Sequence, residues 1–172
     1  RGSIGLNRTQ ITNAGTIAAD VSGATLTIDV DTRGLANTGT LRAENTATLH
    51  IIDAFANDGD LVAAAGSTVR IDGVLTNNAG GTLSGNGVFD MGSTGAVDIQ
   101  NDGTIAPGAS VGKLVIDAGT ITFGATGSLE VELGGLAAGT EYDRVDVFGD
   151  VVIDGTIDAS LFGGYVPVLG DT

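Results

Sequence analysis

A short phrase returns along this chain: Asn13-Ala-Gly15-Thr-Ile17, Asn37-Thr-Gly39-Thr-Leu41, Asn57-Asp-Gly59-Asp-Leu61, Asn77-Asn-Ala-Gly80-Gly81-Thr-Leu83 and Asn101-Asp-Gly103-Thr-Ile105. Its asparagines lie 24, 20, 20 and 24 residues apart. A unit that short cannot enclose a core, so it must bury its apolar face against the next copy of itself, which is the logic of a solenoid.

A second phrase alternates with the first: Gly23-Ala-Thr-Leu26-Thr-Ile28, Thr46-Ala-Thr-Leu49-His-Ile51, Gly66-Ser-Thr-Val69-Arg-Ile71 and Thr94-Gly-Ala-Val97-Asp-Ile99. Two aliphatic residues separated by one polar residue give the period of a strand buried on one face. Each coil therefore reads as two short strands and two turns. No stretch sustains a 3.6-residue apolar period, and the alanine-rich run from Leu61 to Ala65 is too short for a stable helix. The pattern predicts an all-β fold, a right-handed parallel β-helix with coils of 20–24 residues. At about 4.8 Å per coil, seven or eight coils make a rod roughly 35 Å long.

In such a stack like residues lie over like, with Leu, Ile and Val forming aliphatic columns. Three roles are open to Asn13, Asn37, Asn57, Asn77 and Asn101. They serve as turn residues tolerating positive φ before glycine, as a ladder of stacked side-chain amides, or as ligand-binding groups. The period itself favours the first two. It breaks near Ala106, where the step from Gly103 to Gly119 shortens to 16, and a soft boundary falls near residue 125. Residues 1–125 read as regular coils and 126–172 as a distinctive continuation of the same stack; strand rhythm follows the break in Leu114–Ile116 and Ile121–Phe123 and continues past the boundary in Leu129–Leu133, Val145–Val147, Val151–Ile153, Thr156–Leu161 and Tyr165–Val168.

Charge narrows the partners. With 7 Lys and Arg against 21 Asp and Glu the net charge is −14, and Lys113 is the sole lysine. No basic stripe exists to neutralise phosphates, which argues against nucleic acid. No apolar run approaches the roughly 20 residues of a membrane-spanning helix, so direct membrane insertion is not expected. Cysteine is absent, which excludes disulfides and thiolate chemistry. The first residues, Arg1-Gly2-Ser3-Ile4, carry neither an initiator methionine nor a signal peptide, so the chain reads as a piece of something longer.

The second half carries Leu83-Ser-Gly85-Asn86-Gly87, then Gly103-Thr-Ile-Ala-Pro107-Gly108-Ala-Ser110-Val-Gly112-Lys-Leu114, Tyr142-Asp143-Arg-Val145 and Gly170-Asp171-Thr172. In this order, over about residues 83–172, the strings resemble the C-terminal passenger region of autotransporter-type bacterial surface proteins and related exported repeat proteins. The resemblance implies a right-handed β-helical passenger, export beyond the outer membrane, and an extracellular or cell-surface role. The sequence departs from that family by stopping at Asp171-Thr172 without the apolar strand that usually follows, and by carrying no membrane barrel. It reads as a passenger fragment, a released product, or a relative without a barrel.

Chemistry-bearing residues are few. The sole histidine, His50, alternates to the outer face between Leu49 and Ile51. Asp29, Asp53 and Asp72 follow the isoleucines of successive phrases and could stack as an acidic column, where paired carboxylates would suit glycoside hydrolysis. Asp143, Asp146 and Asp150 form the best cluster for calcium, although neither the nine-residue calcium repeat nor an EF-hand is present. Asn7-Arg8-Thr9 matches a glycosylation sequon. No catalytic residue and no resident cofactor is assigned, and the chain is expected to be no enzyme.

The expected function is a structural or adhesive solenoid: a surface stalk, adhesin passenger or filament subunit. Its partners would be a host-surface glycan or protein, or itself by end-to-end stacking or strand donation, since the terminal coils are open sheet edges. The alternative is a carbohydrate-active enzyme or carbohydrate-binding module, against which the scarcity of Trp and Tyr counts.

Overall fold

The computed structural model describes residues 1–92, 97–108 and 110–171. It is all-β, a β-solenoid, with no helix among the described residues and hence none long and apolar enough to cross a membrane. The strands in chain order are β1 (Gly2–Ile4), β2 (Ile11–Asn13), β3 (Thr16–Ala19), β4 (Thr25–Ile28), β5 (Leu35–Asn37), β6 (Thr40–Ala43), β7 (Thr48–Ile51), β8 (Phe55–Asn57), β9 (Asp60–Ala63) and β10 (Thr68–Ile71). There follow β11 (Leu75–Asn77), β12 (Thr82–Gly85), β13 (Val88–Met91), β14 (Ile99–Asn101), β15 (Thr104–Pro107), β16 (Lys113–Phe123), β17 (Ser128–Leu133), β18 (Arg144–Ile153) and β19 (Thr156–Leu161).

These strands fall into three faces, and every pairing between them is parallel. The first face stacks β1, β4, β7, β10 and β13; the second stacks β2, β5, β8, β11 and β14; the third stacks β3, β6, β9, β12, β15, β17 and β19. The long strands β16 and β18 each serve both the first and the second face, which merges those two into one twelve-stranded sheet. Each coil thus carries three strands rather than the two expected from the sequence. The Asn-x-Gly phrase is itself two strands: its asparagine ends a three-residue strand on the second face, and its Thr-[Leu/Ile] opens a strand on the third. Of the expected phrase Thr94–Ile99, residues 94–96 lie outside the described residues, and Ile99 opens β14 on the second face.

Seven tiers result, about 29 Å from first to last at the usual interstrand spacing. The core columns follow the registers: Leu26, Leu49, Val69, Phe89, Ile116 and Val147 on the first face, and Ile17, Leu41, Leu61, Leu83, Ile105, Leu129 and Ile157 on the third. From Leu41 to Ile105 the third-face column is essentially inaccessible to solvent. Burying each such side chain contributes about 1.5–3 kcal/mol, and one aliphatic column supports the next.

The period does not break at Ala106. The counterpart of Gly103 in the next tier is Gly127, 24 residues on, and then Gly155, and a continuous ladder joins them. Ser128 N–H donates to Gly103 at 2.8 Å and Thr156 N–H to Gly127 at 2.9 Å. Gly119 lies instead inside β16, at the bend between the first and second faces where the register shifts between Asp117 and Thr120. The ladders β14–β16 and β15–β17 run through residue 125 without interruption. Residues Tyr165–Val168, expected as a strand, form none. Gly163 and Gly164 turn the chain at φ 64° and 78°, and Pro167 brings no N–H to a ladder.

Candidate functional site

The repeating asparagines sit inside the solenoid. Asn37, Asn57, Asn77 and Asn101 are fully buried and Asn13 nearly so, each closing its second-face strand beside the corner that leads to the third face. Nδ2 of Asn13 donates to Oδ1 of Asn37 at 2.7 Å, Asn37 to Asn57 at 2.8 Å, Asn57 to Asn77 at 2.9 Å, and Asn77 to Asn101 at 2.7 Å. The same nitrogens also donate to the carbonyl of the phrase glycine, as with Asn57 to Gly59 at 2.7 Å and Asn101 to Gly103 at 3.0 Å. A buried primary amide has two donors and an acceptor to satisfy, and a one-dimensional stack satisfies them tier by tier. The ladder role is therefore the one these residues hold, and none of the five adopts positive φ.

The phrase glycine has a different cause. A Cβ on Gly39, Gly59 or Gly103 would lie 2.2 Å from a glycine carbonyl oxygen of the tier below, while on Gly15 in the lowest tier it would meet nothing within 4 Å. Glycine is required there by the closeness of stacked backbones, not by the sign of φ.

The three calcium candidates are not brought together. Asp143 is buried and clamps two backbones, its Oδ1 accepting from Gly112 N at 2.7 Å and its Oδ2 from Glu132 N at 2.8 Å. It ties the segment after Pro107-Gly108 to the third-face strand β17; Ala109 within that segment lies outside the described residues. Asp146 on β18 pairs with Lys113 Nζ at 2.8 Å and with Arg144 Nε, and these cations hold its carboxyl below the usual range. Asp150 stands exposed on the same strand, in register with Thr120. No group of three His, Cys, Asp or Glu side chains placed to hold a metal occurs among the described residues.

The acidic column is not assembled either. Ile28, Ile51 and Ile71 share a register, so the residue between Asp29 and Asp72 in the stack is Ile52, and Asp53 falls one position later. Asp53 Oδ2 instead accepts from Val30 N at 3.2 Å. Asp72 carries a partner on each oxygen, His50 Nε2 at 2.8 Å and Arg70 Nε at 3.0 Å. Burial pushes the Asp72 carboxyl up, but the hydrogen bonds from His50 and Arg70 outweigh it and leave it below the ordinary value. His50 does face outward, between the inaccessible Leu49 and Ile51.

Two arrangements escaped the sequence reading. On the outer side of the first face, His50, Arg70, Asp90 and Asp117 occupy one register column. Arg70 reaches Asp90 at 3.8 Å, and Asp90 is raised by burial, with the neighbouring Asp117 and Asp72 charges adding to it against the pull of Arg70. On the third face near the upper end a groove of about 420 Å³ is bordered by Ser110, Glu130, Glu132, Asp143, Asp158 and Ser160. Glu130 is in register with Asp158 and Glu132 with Ser160, and Glu132 Oε2 is buried without a hydrogen-bond partner. The column depends on the β7–β10, β10–β13 and β13–β16 registers and the groove on the β17–β19 register, and the Asn-x-Gly phrase marks none of these pairings.

Compared with known proteins, the chain matches no family model, no curated protein and no solved structure.

Proposed function

We propose that this solenoid is a non-enzymatic structural module of an extracellular surface, serving as a stalk, an adhesive passenger or a segment of a filament. The observation that carries the reading is the identity of what repeats. Tier after tier preserves an amide ladder, a glycine column and aliphatic columns, all of which maintain a rod. The side chains that could do chemistry vary from tier to tier, and several carboxylate candidates are engaged: Asp72 with His50 and Arg70, Asp143 with two backbone amides, Asp146 with Lys113 and Arg144. The passenger-like strings from Leu83 onward support the surface setting, and of these Leu83–Gly85 and Thr104–Pro107 lie in third-face strands of the stack.

A carbohydrate-active site would have to use the acidic groove beside Glu130 and Asp158, which gives the test its control. The purified protein is incubated with a panel of neutral and acidic polysaccharides, and new reducing ends and unsaturated products are measured. In parallel, retention on immobilised glycans and extracellular-matrix proteins is scored. The expected result is retention without turnover. Turnover that disappears in the Glu130→Gln, Asp158→Asn double variant would overturn the structural reading in favour of an enzyme.

A further inference from the structure

Strands β4, β7 and β10 stand inside the first face, each with a ladder on both sides, so their outer surface does not depend on where the stack begins or ends. The outward residues fall into register columns. Thr25, Thr48 and Thr68 make one, and Thr27, His50 and Arg70 make the next. A concavity of about 310 Å³ lies across the two, bordered by Thr25, Thr27, Thr48, His50 and Arg70, with Arg1 beside Thr25 in the tier below. No carboxylate borders it among the described residues, on a chain with 21 Asp and Glu against 7 Lys and Arg.

The nearby acids stand outside and hold the basic side chains in place. Asp29 and Asp72 fall in the column beyond His50 and Arg70, on the side away from Thr25 and Thr48, and Asp90 is one tier above Arg70. Asp72 accepts from Arg70 Nε at 3.0 Å and meets His50 Nε2 at 2.8 Å. Nη1 of Arg70 is 3.8 Å from Asp90, beyond hydrogen-bond length, so the terminal end of the guanidinium keeps donors to offer. Thr25, Thr27 and Thr48 are half-buried, and their hydroxyls bond to no protein group among the described residues.

A fixed guanidinium end beside unpartnered hydroxyls complements an oxyanion, and a planar carboxylate suits the fork best. The surroundings decide what carries that carboxylate. Above Arg70 its column runs into Asp90 and Asp117, and the net charge is −14, so a polymer charged on every unit is repelled. The threonine column, in contrast, continues to Thr68 and offers further hydroxyls at the interstrand spacing. A hydroxyl-rich chain with widely spaced carboxylates matches both features.

We propose that this concavity binds the carboxylate of an acidic sugar within a glycan chain, with Arg70 making the charged contact and Thr25, Thr27 and Thr48 donating from their hydroxyls. The inference deepens the reading of the solenoid as a surface module and rests on it, yet the two fail separately. Glycan turnover would end the structural reading with the site intact, whereas adhesion through another face would keep that reading and lose the site.

The test is calorimetric titration of the full chain with a hexasaccharide of alternating glucuronate and N-acetylglucosamine, with the same hexasaccharide after carboxyl reduction, with free glucuronate and with sulfate. The charged hexasaccharide should bind and the reduced one should bind at least about tenfold more weakly. Arg70→Gln should weaken binding about tenfold and Thr48→Val about threefold, with folding checked by circular dichroism. Arg42→Gln on the third face, where Arg42 pairs with Glu44, should change nothing. No binding by the unmodified chain would overturn the proposal, as would equal affinity for the reduced hexasaccharide or an Arg42→Gln loss as large as that of Arg70→Gln. Free glucuronate or sulfate binding as tightly as the hexasaccharide would overturn it too, by making the occupant a small free anion.

Discussion

Phe123 lies in register directly above Asn101, so the amide ladder that starts at Asn13 ends under an aromatic ring. Asn101 still accepts from Asn77 and donates to Gly103, but no amide waits above it. A middle rung and this last rung should therefore differ in worth. Replacing Asn57 by Leu removes the acceptor for Asn37 and the donor for Asn77 inside an inaccessible core, and should cost about 2–4 kcal/mol. Replacing Asn101 by Leu leaves a shortened ladder beneath an apolar column that already continues through Phe123 and Ile153, and should cost about 1 kcal/mol. Urea unfolding of both variants measures the difference, and equal losses would mean that the ladder does not act rung by rung.

The glycine column makes a sharper contrast at constant chemistry. Gly59→Ala drives a methyl to 2.2 Å from the carbonyl oxygen of Gly39, where only backbone can give way, and should destabilise by about 3 kcal/mol or more. Gly15→Ala places the same methyl in open space at the lower end and should stay within about 0.5 kcal/mol. Thermal melts of the two variants decide whether glycine is demanded by stacking. A large loss at Gly15 would point instead to a conformational need of the turn.

Asp143 should behave as a backbone clamp. Asp143→Ala orphans the amides of Gly112 and Glu132 in a buried setting and should lower stability by about 2–4 kcal/mol. Adding millimolar calcium or a chelator should leave the melting temperature of the unaltered chain in place, since Asp143, Asp146 and Asp150 do not converge on one point. A calcium-dependent rise lost in Asp143→Ala would restore the cation reading.

What the sequence made legible was set by strict repetition. The aliphatic positions alternate and recur, so the solenoid, its all-β character and the 20–24-residue coil could be read directly, as could the outward placement of His50. Three things were hidden for physical reasons. The second-face strands are three residues long and end in a buried asparagine, so their polar end looked like a turn. The Asn and Gly of one phrase belong to separate columns with separate causes, and once Asn gives way to Phe123 the surviving glycines at 127 and 155 no longer announce the period. A single extra aliphatic residue, Ile52, moved Asp53 out of the acidic column, and nothing in composition signals a one-position slip. Asp143 was legible as important, yet its partners at Gly112 and Glu132 are set by long-range folding.

The outer column of the first face predicts opposite pH behaviour from two aspartates joined by one arginine. Asp72 has a folded-state pKa below its unfolded value, near 3.9 for an ordinary aspartate, so its contribution is present above that pH and is lost as the pH falls through the folded value. Asp90 has a folded-state pKa above its unfolded value, so the stability linked to it is present below the unfolded value and is lost as the pH rises through the folded one. Both side chains are about one-third exposed, which limits either effect to roughly 0.5–1 kcal/mol. At pH 7 Asp72→Asn should therefore destabilise by that amount. Asp90→Asn should be neutral or slightly stabilising, because it removes a poorly solvated charge held near Asp117 while Arg70 keeps Asp72. Urea midpoints from pH 3 to pH 7 test both signs, with the Asp72→Asn deficit shrinking toward the acid end. A deficit for Asp90→Asn at pH 7 as large as that for Asp72→Asn would show that the 3.8 Å contact between Arg70 and Asp90 outweighs the burial of the Asp90 charge.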